Sequence, residues 1–149
     1  MLLIGLKNTG TQTVLADGLI NLGFVYRKFC KANRCGVPGF AVTSNGVTLN
    51  HKGIYHVTAT LVGTGETAGL VSVQLLENGD PVEGAISSET ITTATTEFRT
   101  FVIDYYVKVD EDCTLGYTST TAKTLSLVNT SEDIDATFTS VVLNVTKEV

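Results

Sequence analysis

The sequence predicts an all-β sandwich, and three observations support that fold class. Its 149 residues include 24 Thr and 18 Val but only one Met and no Trp, a composition typical of β-sheets. Turn residues recur about every ten positions, as they do between short strands. Apolar and polar side chains alternate along the longer candidate strands. Together these features argue against a helical bundle and indicate one domain of ordinary size.

Strands and turns follow from the alternation and from the glycine, proline and asparagine signals between the runs. The expected strands are 2–6, 13–16, 19–27, 40–43, 47–49, 54–62, 70–77, 97–109, 114–118, 124–129 and 134–145. Asn45-Gly46 is the sharpest turn signal and predicts a type I′ hairpin between two of them. The threonine-rich stretch 87–96 is interpreted as a loop or a weak edge strand.

The last strand is apolar on both of its faces. By simple alternation, Phe138 and Val142 point away from Val141, Leu143 and Val145. A strand that is apolar on both faces is buried on both, and in a two-sheet sandwich the second burial comes from a partner subunit. The sequence therefore predicts an oligomer.

The charge of the chain argues against some classes of partner, and its N-terminal residues indicate where it folds. Charged residues make up 17% of the chain, the net charge is −5 and the pI is about 4.9. This balance argues against nucleic acid and against an anionic membrane as partners. No apolar run approaches the length of a transmembrane helix, and residues 1–7 lack the features of a signal peptide. We expect the chain to fold in a cytosol.

The three cysteines allow three interpretations. They are plain thiols, or Cys30 and Cys35 form a disulfide that leaves Cys113 odd, or all three bind zinc with His51 or His56 as the fourth ligand. The spacing is unusual for zinc, and thiols are favoured. His51 precedes a Lys-Gly turn and is expected to be exposed.

Carboxylate clusters at 110–112 and 132–135 are weak candidates for a calcium site, since neither has an EF-hand spacing. Catalytic motifs are missing: there is no nucleophile elbow, no H-E-x-x-H and no phosphate-binding loop. Glu97 and Asp104 are offset along one strand, and Arg99 is expected to form a surface ion pair with Glu97. The sequence therefore predicts no enzyme and no cofactor.

From about residue 39 to 145 the order of motifs resembles the superfamily of tumour necrosis factor and the complement globular heads. The segments that carry the resemblance are Thr-Ser-Asn-Gly-Val at 43–47, Gly-Ile-Tyr-His-Val at 53–57, Val-Ser-Val-Gln-Leu-Leu-Glu-Asn-Gly at 71–79 and Thr-Phe-Thr-Ser-Val-Val-Leu at 137–143. The resemblance implies a jelly-roll β-sandwich that forms a homotrimer. It implies that residues 39–149 form the jelly roll, with 1–38 left as N-terminal strands or an attachment arm within one compact domain.

In that superfamily the Gly-x-Tyr strand and the terminal strand lie in the sheet around the threefold axis. The resemblance therefore implies a trimer interface that contains Tyr55, Val57, Phe138 and Val142. His56 lies on the more polar face of the same strand and is a candidate axial residue, because three copies meeting at the axis would hold an anion or a metal.

Two further segments, 27–38 and 103–107, are similar to small jelly-roll proteins of tailed phages and prophages of Gram-positive bacteria. This resemblance implies a virion structural protein, made in the bacterial cytoplasm and placed on the virion surface as a capsid decoration or head fibre, with capsid or other virion proteins as partners. The alternative is a receptor-binding tip that recognises a host-surface glycan or protein. Its candidate sugar-stacking aromatics are Tyr26, Phe29, Tyr106 and Tyr117, which are few.

Overall fold

The computed structural model describes residues 2–30 and 35–149, with only the backbone described at Cys30. These residues form the strands β1 (Leu2–Asn8), β2 (Gln12–Val14), β3 (Phe24–Cys30), β4 (Phe40–Val42), β5 (Val47–Leu49), β6 (Gly53–Gly65), β7 (Gly69–Glu77), β8 (Asp80–Ile91), β9 (Arg99–Val109), β10 (Lys123–Asn129) and β11 (Ala136–Lys147). Within the described ranges, no helix is long and apolar enough to span a membrane.

The strands form two antiparallel sheets packed face to face. Sheet A has the order β3-β1-β11-β6-β9, and β2 pairs with the start of β11. Sheet B has the order β4-β5-β10-β7-β8. One apolar core fills the space between the sheets. The predicted all-β sandwich is confirmed.

Alternation along β6 and β9 sets the two faces of sheet A. Tyr55 in β6 and Phe101 and Val107 in β9 are buried in the core, whereas Thr60 and Tyr106 are exposed on the opposite face. The period of two puts every second residue on the same side, so the polar side chains of these strands share the outer face. The alternation predicted along the longer strands is confirmed in β6 and β9.

The N-terminal segment is part of the sandwich. β1 lies between β3 and β11, and its residues Ile4 and Leu6 are fully buried in the core. Ile20 and Leu22, which follow β2, are fully buried as well. Of the two expected forms of the segment 1–38, residues 2–22 therefore fit N-terminal strands rather than a free arm, because their apolar side chains complete the core.

A bulge in β11 reverses the side to which Phe138 points. Against β6, the register shifts between Phe138, which pairs with Gly63, and Ser140, which pairs with Val62. The extra residue moves Phe138 to the core side, where it is fully buried. Its ring meets that of Phe101 edge to face, with the ring centroids 6.2 Å apart. The prediction that Phe138 lies on an outer, partner-covered face is therefore wrong.

The type I′ turn lies at a different Asn-Gly pair from the one that the sequence predicted. β4 and β5 do form a hairpin, but Asn45 and Gly46 are not among the described residues with positive φ, so the turn is not type I′. Asn78 and Gly79 have φ values of 53° and 83° and join β7 to β8 as a two-residue turn. The type I′ conformation belongs to this second pair.

Three strand assignments also changed. The expected strand at 19–27 is observed as β3, Phe24–Cys30, so residues 19–23 lie outside it. The expected strand at 114–118 contains only an isolated bridge between Thr114 and Tyr117. The stretch interpreted as a weak edge strand at 87–96 is the end of β8, an edge strand that begins at Asp80, followed by a turn.

Candidate functional site

The outer face of sheet A, which is turned away from sheet B, differs between its centre and its two ends. Its centre is polar and partly exposed, with Thr58 and Thr60 of β6 beside Asn144 of β11. The end at β3, here called the β3 end, consists of Lys7, Phe24, Tyr26, Arg27 and Phe29. The opposite end, here called the β9 end, consists of His56, Val102, Asp104 and Tyr106. Four strand spacings separate the two edge strands, roughly 19 Å, so the two ends form separate patches.

The β3 end is aromatic and cationic. The ammonium nitrogen of Lys7 lies 5.3 Å from the centroid of the Tyr26 ring, and the guanidinium carbon of Arg27 lies 5.9 Å from it. The Tyr26 hydroxyl donates a hydrogen bond to Asn144 Oδ1 at 2.6 Å. Cations at this distance are attracted to the ring face, which holds both charges above the sheet.

A glycine in β1 makes this arrangement possible. A Cβ at Gly5 would lie 2.8 Å from Tyr26 Cε1 and 2.6 Å from Asn144 Oδ1. Only a residue without a side chain lets Tyr26 cross the strand and reach Asn144. A glycine inside an apolar strand was the one sequence signal for this close approach, and it was not used.

The β9 end is aromatic and anionic. The rings of His56 and Tyr106 are stacked, with centroids 4.7 Å apart and planes 16° apart. His56 Nε2 donates to Asp104 Oδ1 at 2.6 Å, and His56 Nδ1 lies 3.9 Å from Glu148 Oε1. The Asp104 side chain is 63% exposed. The imidazole is thus placed between two carboxylates, and its role as an axial ligand stays a prediction.

The structure separates the four predicted interface residues. Tyr55, Val57 and Phe138 are fully buried inside the subunit, so their assignment to a subunit interface is wrong. The Tyr55 hydroxyl donates to His51 O at 2.7 Å within the core. Val142 alone lies half-buried on the outer face of sheet A.

The structure describes the side chains of two of the three cysteines, Cys35 and Cys113. The Cys35 thiol donates a hydrogen bond to the Cys113 carbonyl oxygen at 2.9 Å. Burial, and after it the neighbouring Cys35 thiol, raise the pKa of the Cys113 thiol to about 11. The side chain of Cys30 lies outside the described residues. His51 is fully buried rather than exposed, and its Nε2 lies 2.8 Å from Val37 O.

Among residues 2–30 and 35–149, no group of three or more His, Cys, Asp or Glu side chains is arranged to hold a metal. The acidic clusters instead contact protein groups. Lys108 forms an ion pair with Asp110 at 2.9 Å and lowers the pKa of that carboxyl. Glu111 accepts a hydrogen bond from Thr120, and Asp135 accepts one from the Ala16 amide. Calcium binding stays a prediction.

Glu97 has a structural role in the turn that follows β8. Its carboxylate accepts hydrogen bonds from the amides of Thr92 and Thr93, and these together with Arg99 hold its pKa at about 2. The ion pair with Arg99 that the sequence predicted is present at 2.7 Å. The four candidate sugar-stacking aromatics are spread over β3, β9 and the loop that carries Tyr117, which is 73% exposed.

A cavity of about 350 Å³ opens where β6 begins. Its lining combines three lysines with apolar side chains and a glycine: Lys52, Gly53, Ile54, Lys108, Val109, Lys147 and Val149. A Cβ at Gly53 would lie 2.4 Å from Lys147 Cε, so the glycine leaves room for the lysine stem. The cavity therefore has a mostly apolar lining to which three lysines contribute.

Solved structures share this fold. The globular domain of the zebrafish complement 1qA protein is similar with a TM-score of 0.66 and 10% identity, covering 100% of this chain and 98% of that chain. Eiger TNF from S. frugiperda gives a TM-score of 0.65 and 14% identity, with 100% and 94% covered. PRD1 vertex protein P5 gives 0.57 and 15%, with 99% and 97% covered. No protein-family model and no curated protein matches the sequence.

These similarities define the class of fold. The chain is an all-β jelly roll of the kind found in tumour necrosis factor and complement globular domains. The coverage of nearly the whole chain agrees with the position of β1 inside sheet A. At identities of 15% or less the likeness concerns the fold alone.

Proposed function

We propose that this protein is a homotrimeric structural protein of the phage virion surface, a capsid decoration or head-fibre-like protein. The observation that carries the self-association is the outer face of sheet A, which holds exposed aromatic side chains at both ends and the aliphatic Val102 at the β9 end. Exposed apolar patches on a soluble chain mark contact surfaces. The likeness in fold to PRD1 vertex protein P5, together with the motif resemblance to phage jelly rolls, supports the virion.

The role that follows is mechanical. A cyclic trimer closes on itself and fits threefold or pseudo-threefold positions of an icosahedral shell. Nothing in this role requires a catalytic centre or a cofactor, and we propose none.

The first experiment is the native mass by light scattering behind a sizing column, with and without chelator. Three copies of 15.8 kDa give about 47 kDa, and we expect that mass in both conditions. A monomer at micromolar concentration would overturn the trimer. The second experiment incubates the purified protein with phage particles and sediments them through a density gradient. Co-sedimentation with particles supports the virion role. If the protein stays at the top of the gradient with each kind of phage tested, the virion role is contradicted.

The cavity lined by Lys52, Lys108 and Lys147 favours a second candidate function, a receptor-binding tip for an acidic host-surface glycan. Its volume of about 350 Å³ suits one sugar unit, and Lys52 is the candidate partner of a sugar carboxylate, since Lys108 already pairs with Asp110. A glycan array distinguishes this candidate: binding to acidic but not neutral glycans, lost in Lys52→Glu, supports it. If the protein binds no acidic glycan on the array, this second candidate function is excluded.

A further inference from the structure

The edge strand β3 is the least covered strand of the described residues. Its residues from Phe24 to Phe29 are all exposed, and β3 pairs only with β1 within the described ranges. Phe24 is 57% exposed and Phe29 is 51% exposed. Arg27, Lys28 and a β-bulge hinder the pairing of this edge with another strand. The exposed aromatic rings are what mark the β3 end as a contact surface for side chains.

The charges of the β3 end identify the chemistry of its partner. Lys7 and Arg27 lie on it, and neither β1 nor β3 contains an Asp or a Glu. The chain as a whole has a net charge of −5, so this patch has the opposite sign to the rest of the molecule. Its partner is expected to present carboxylates beside apolar groups.

The β9 end of the same face has that chemistry. Val102 is 56% exposed and Tyr106 is 59% exposed, on either side of the Asp104 carboxylate. The two cations of β9 are already matched, since Arg99 pairs with Glu97 and Lys108 with Asp110. In the described part of the chain, Asp104 forms an ion pair with His56 but with no lysine or arginine.

We infer that the β3 end of one copy docks on the β9 end of the next copy, with Arg27 and Lys7 facing Asp104. This inference rests on the proposed homotrimer and specifies its contact. The two ends of one copy lie roughly 19 Å apart, so they meet only between copies. Joining two β3 ends would place cation against cation and is disfavoured.

A head-to-tail contact of this kind repeats around a ring. A face-to-face dimer would also bring opposite ends together, but it would bury the polar centre of the face, including Thr58, Thr60 and Asn144. A ring joined through the β3 and β9 ends leaves more of that polar centre exposed to solvent. The polar centre therefore favours a head-to-tail contact over a face-to-face dimer, and the number of three copies rests on the proposed homotrimer.

Charge reversal tests the contact. Arg27→Glu and Asp104→Arg are each expected to weaken assembly by at least about 30-fold, because each places like charges at every contact. The double variant R27E/D104R restores opposite charges and is expected to regain the trimer. Lys28→Glu is the matched control: it makes the same charge change on the same strand, but Lys28 pairs with Ile4, whose side chain points to the core side.

Assembly is measured by analytical ultracentrifugation over a concentration series, and circular dichroism shows that each variant is folded. A wild-type trimer of about 47 kDa that is lost in both single variants and regained in the double variant supports the inference. A trimer that persists in both single variants overturns this contact but leaves the proposed trimer standing. A wild-type mass of about 32 kDa, two copies of 15.8 kDa, or a wild-type monomer overturns both.

Mixing the two single variants gives an independent readout. In a dimer of opposite ends, one copy of each variant restores every contact, so assembly would be complete. A ring of three holds an odd number of copies, so at least one contact always stays mismatched. We expect partial recovery in the mixture, and full recovery would contradict the ring.

Discussion

Replacing Phe138 by alanine tests whether this side chain belongs to the core or to a subunit interface. The ring is fully buried, and its centroid lies 6.2 Å from that of Phe101. A Cβ at Gly63 would lie 2.6 Å from Phe138 Cδ1, so the neighbouring strand packs directly against the ring. Removal of the ring opens a cavity, and truncation of a buried phenylalanine costs about 4 kcal/mol.

The assay is urea unfolding followed by circular dichroism. With a slope of about 2 kcal/mol per molar urea, the midpoint of Phe138→Ala is expected to fall by about 2 M. Val142→Ala is the control, since Val142 is half-buried on the outer face, and we expect it to cost under about 1 kcal/mol. All variants are compared at one protein concentration, because the stability of an oligomer depends on it.

If Phe138→Ala lost its native assembly while its unfolding midpoint fell by less than about 0.5 M, the ring would belong to a subunit contact. The bulge between Phe138 and Ser140 would then be wrong, and with it the core side of β11.

Three further predictions concern local features. Glu97→Gln is expected to lower the melting temperature at neutral pH but not near pH 2. In the folded protein the pKa of the Glu97 carboxyl is about 2, below its ordinary value of 4.5. The ionised carboxylate therefore stabilises the fold above pH 4.5, and this stabilisation is lost as the pH falls towards 2. Melting curves that differ equally at both pH values would contradict this. Gly23→Ala is expected to cost more than Gly116→Ala in urea unfolding; both have φ of +77° and share a strain of about 1–3 kcal/mol, but only at Gly23 would the Cβ meet backbone, 2.0 Å from Lys7 O. In a Cys30→Ser background, iodoacetamide at pH 8 is expected to modify Cys35 before Cys113, whose pKa is raised to about 11; mass spectrometry of the peptides checks the order, and earlier modification of Cys113 would refute it.

Much of the fold was predictable because local pattern and long-range packing agree. The alternation along the longer strands was recognised, and in β6 the sheet buries Tyr55 on one face and exposes Thr60 on the other. β5 was predicted with its observed bounds, Val47–Leu49. In these strands a period of two continues without interruption, so counting residues was enough.

The candidate site was less predictable. His56 was singled out from the sequence, and Asp104 was recognised only as an offset carboxylate. The cross-strand pairing of β6 with β9 brings the two together, and no sequence spacing shows a contact across 48 residues. Arg27 and Lys7 were not recognised, because their charge matters only when β1 and β3 lie side by side at the edge of sheet A.

The sequence by itself determined the all-β class, the positions of most strands along the chain and the alternation of side chains within them. Only the tertiary structure decided that β1 completes sheet A, that Asn78-Gly79 forms the tight turn and that Phe138 faces the core. The physical reason is clearest at Phe138. One inserted residue in β11 turns every earlier side chain to the other face, and the bulge is defined by the pairing with β6 rather than by β11 alone.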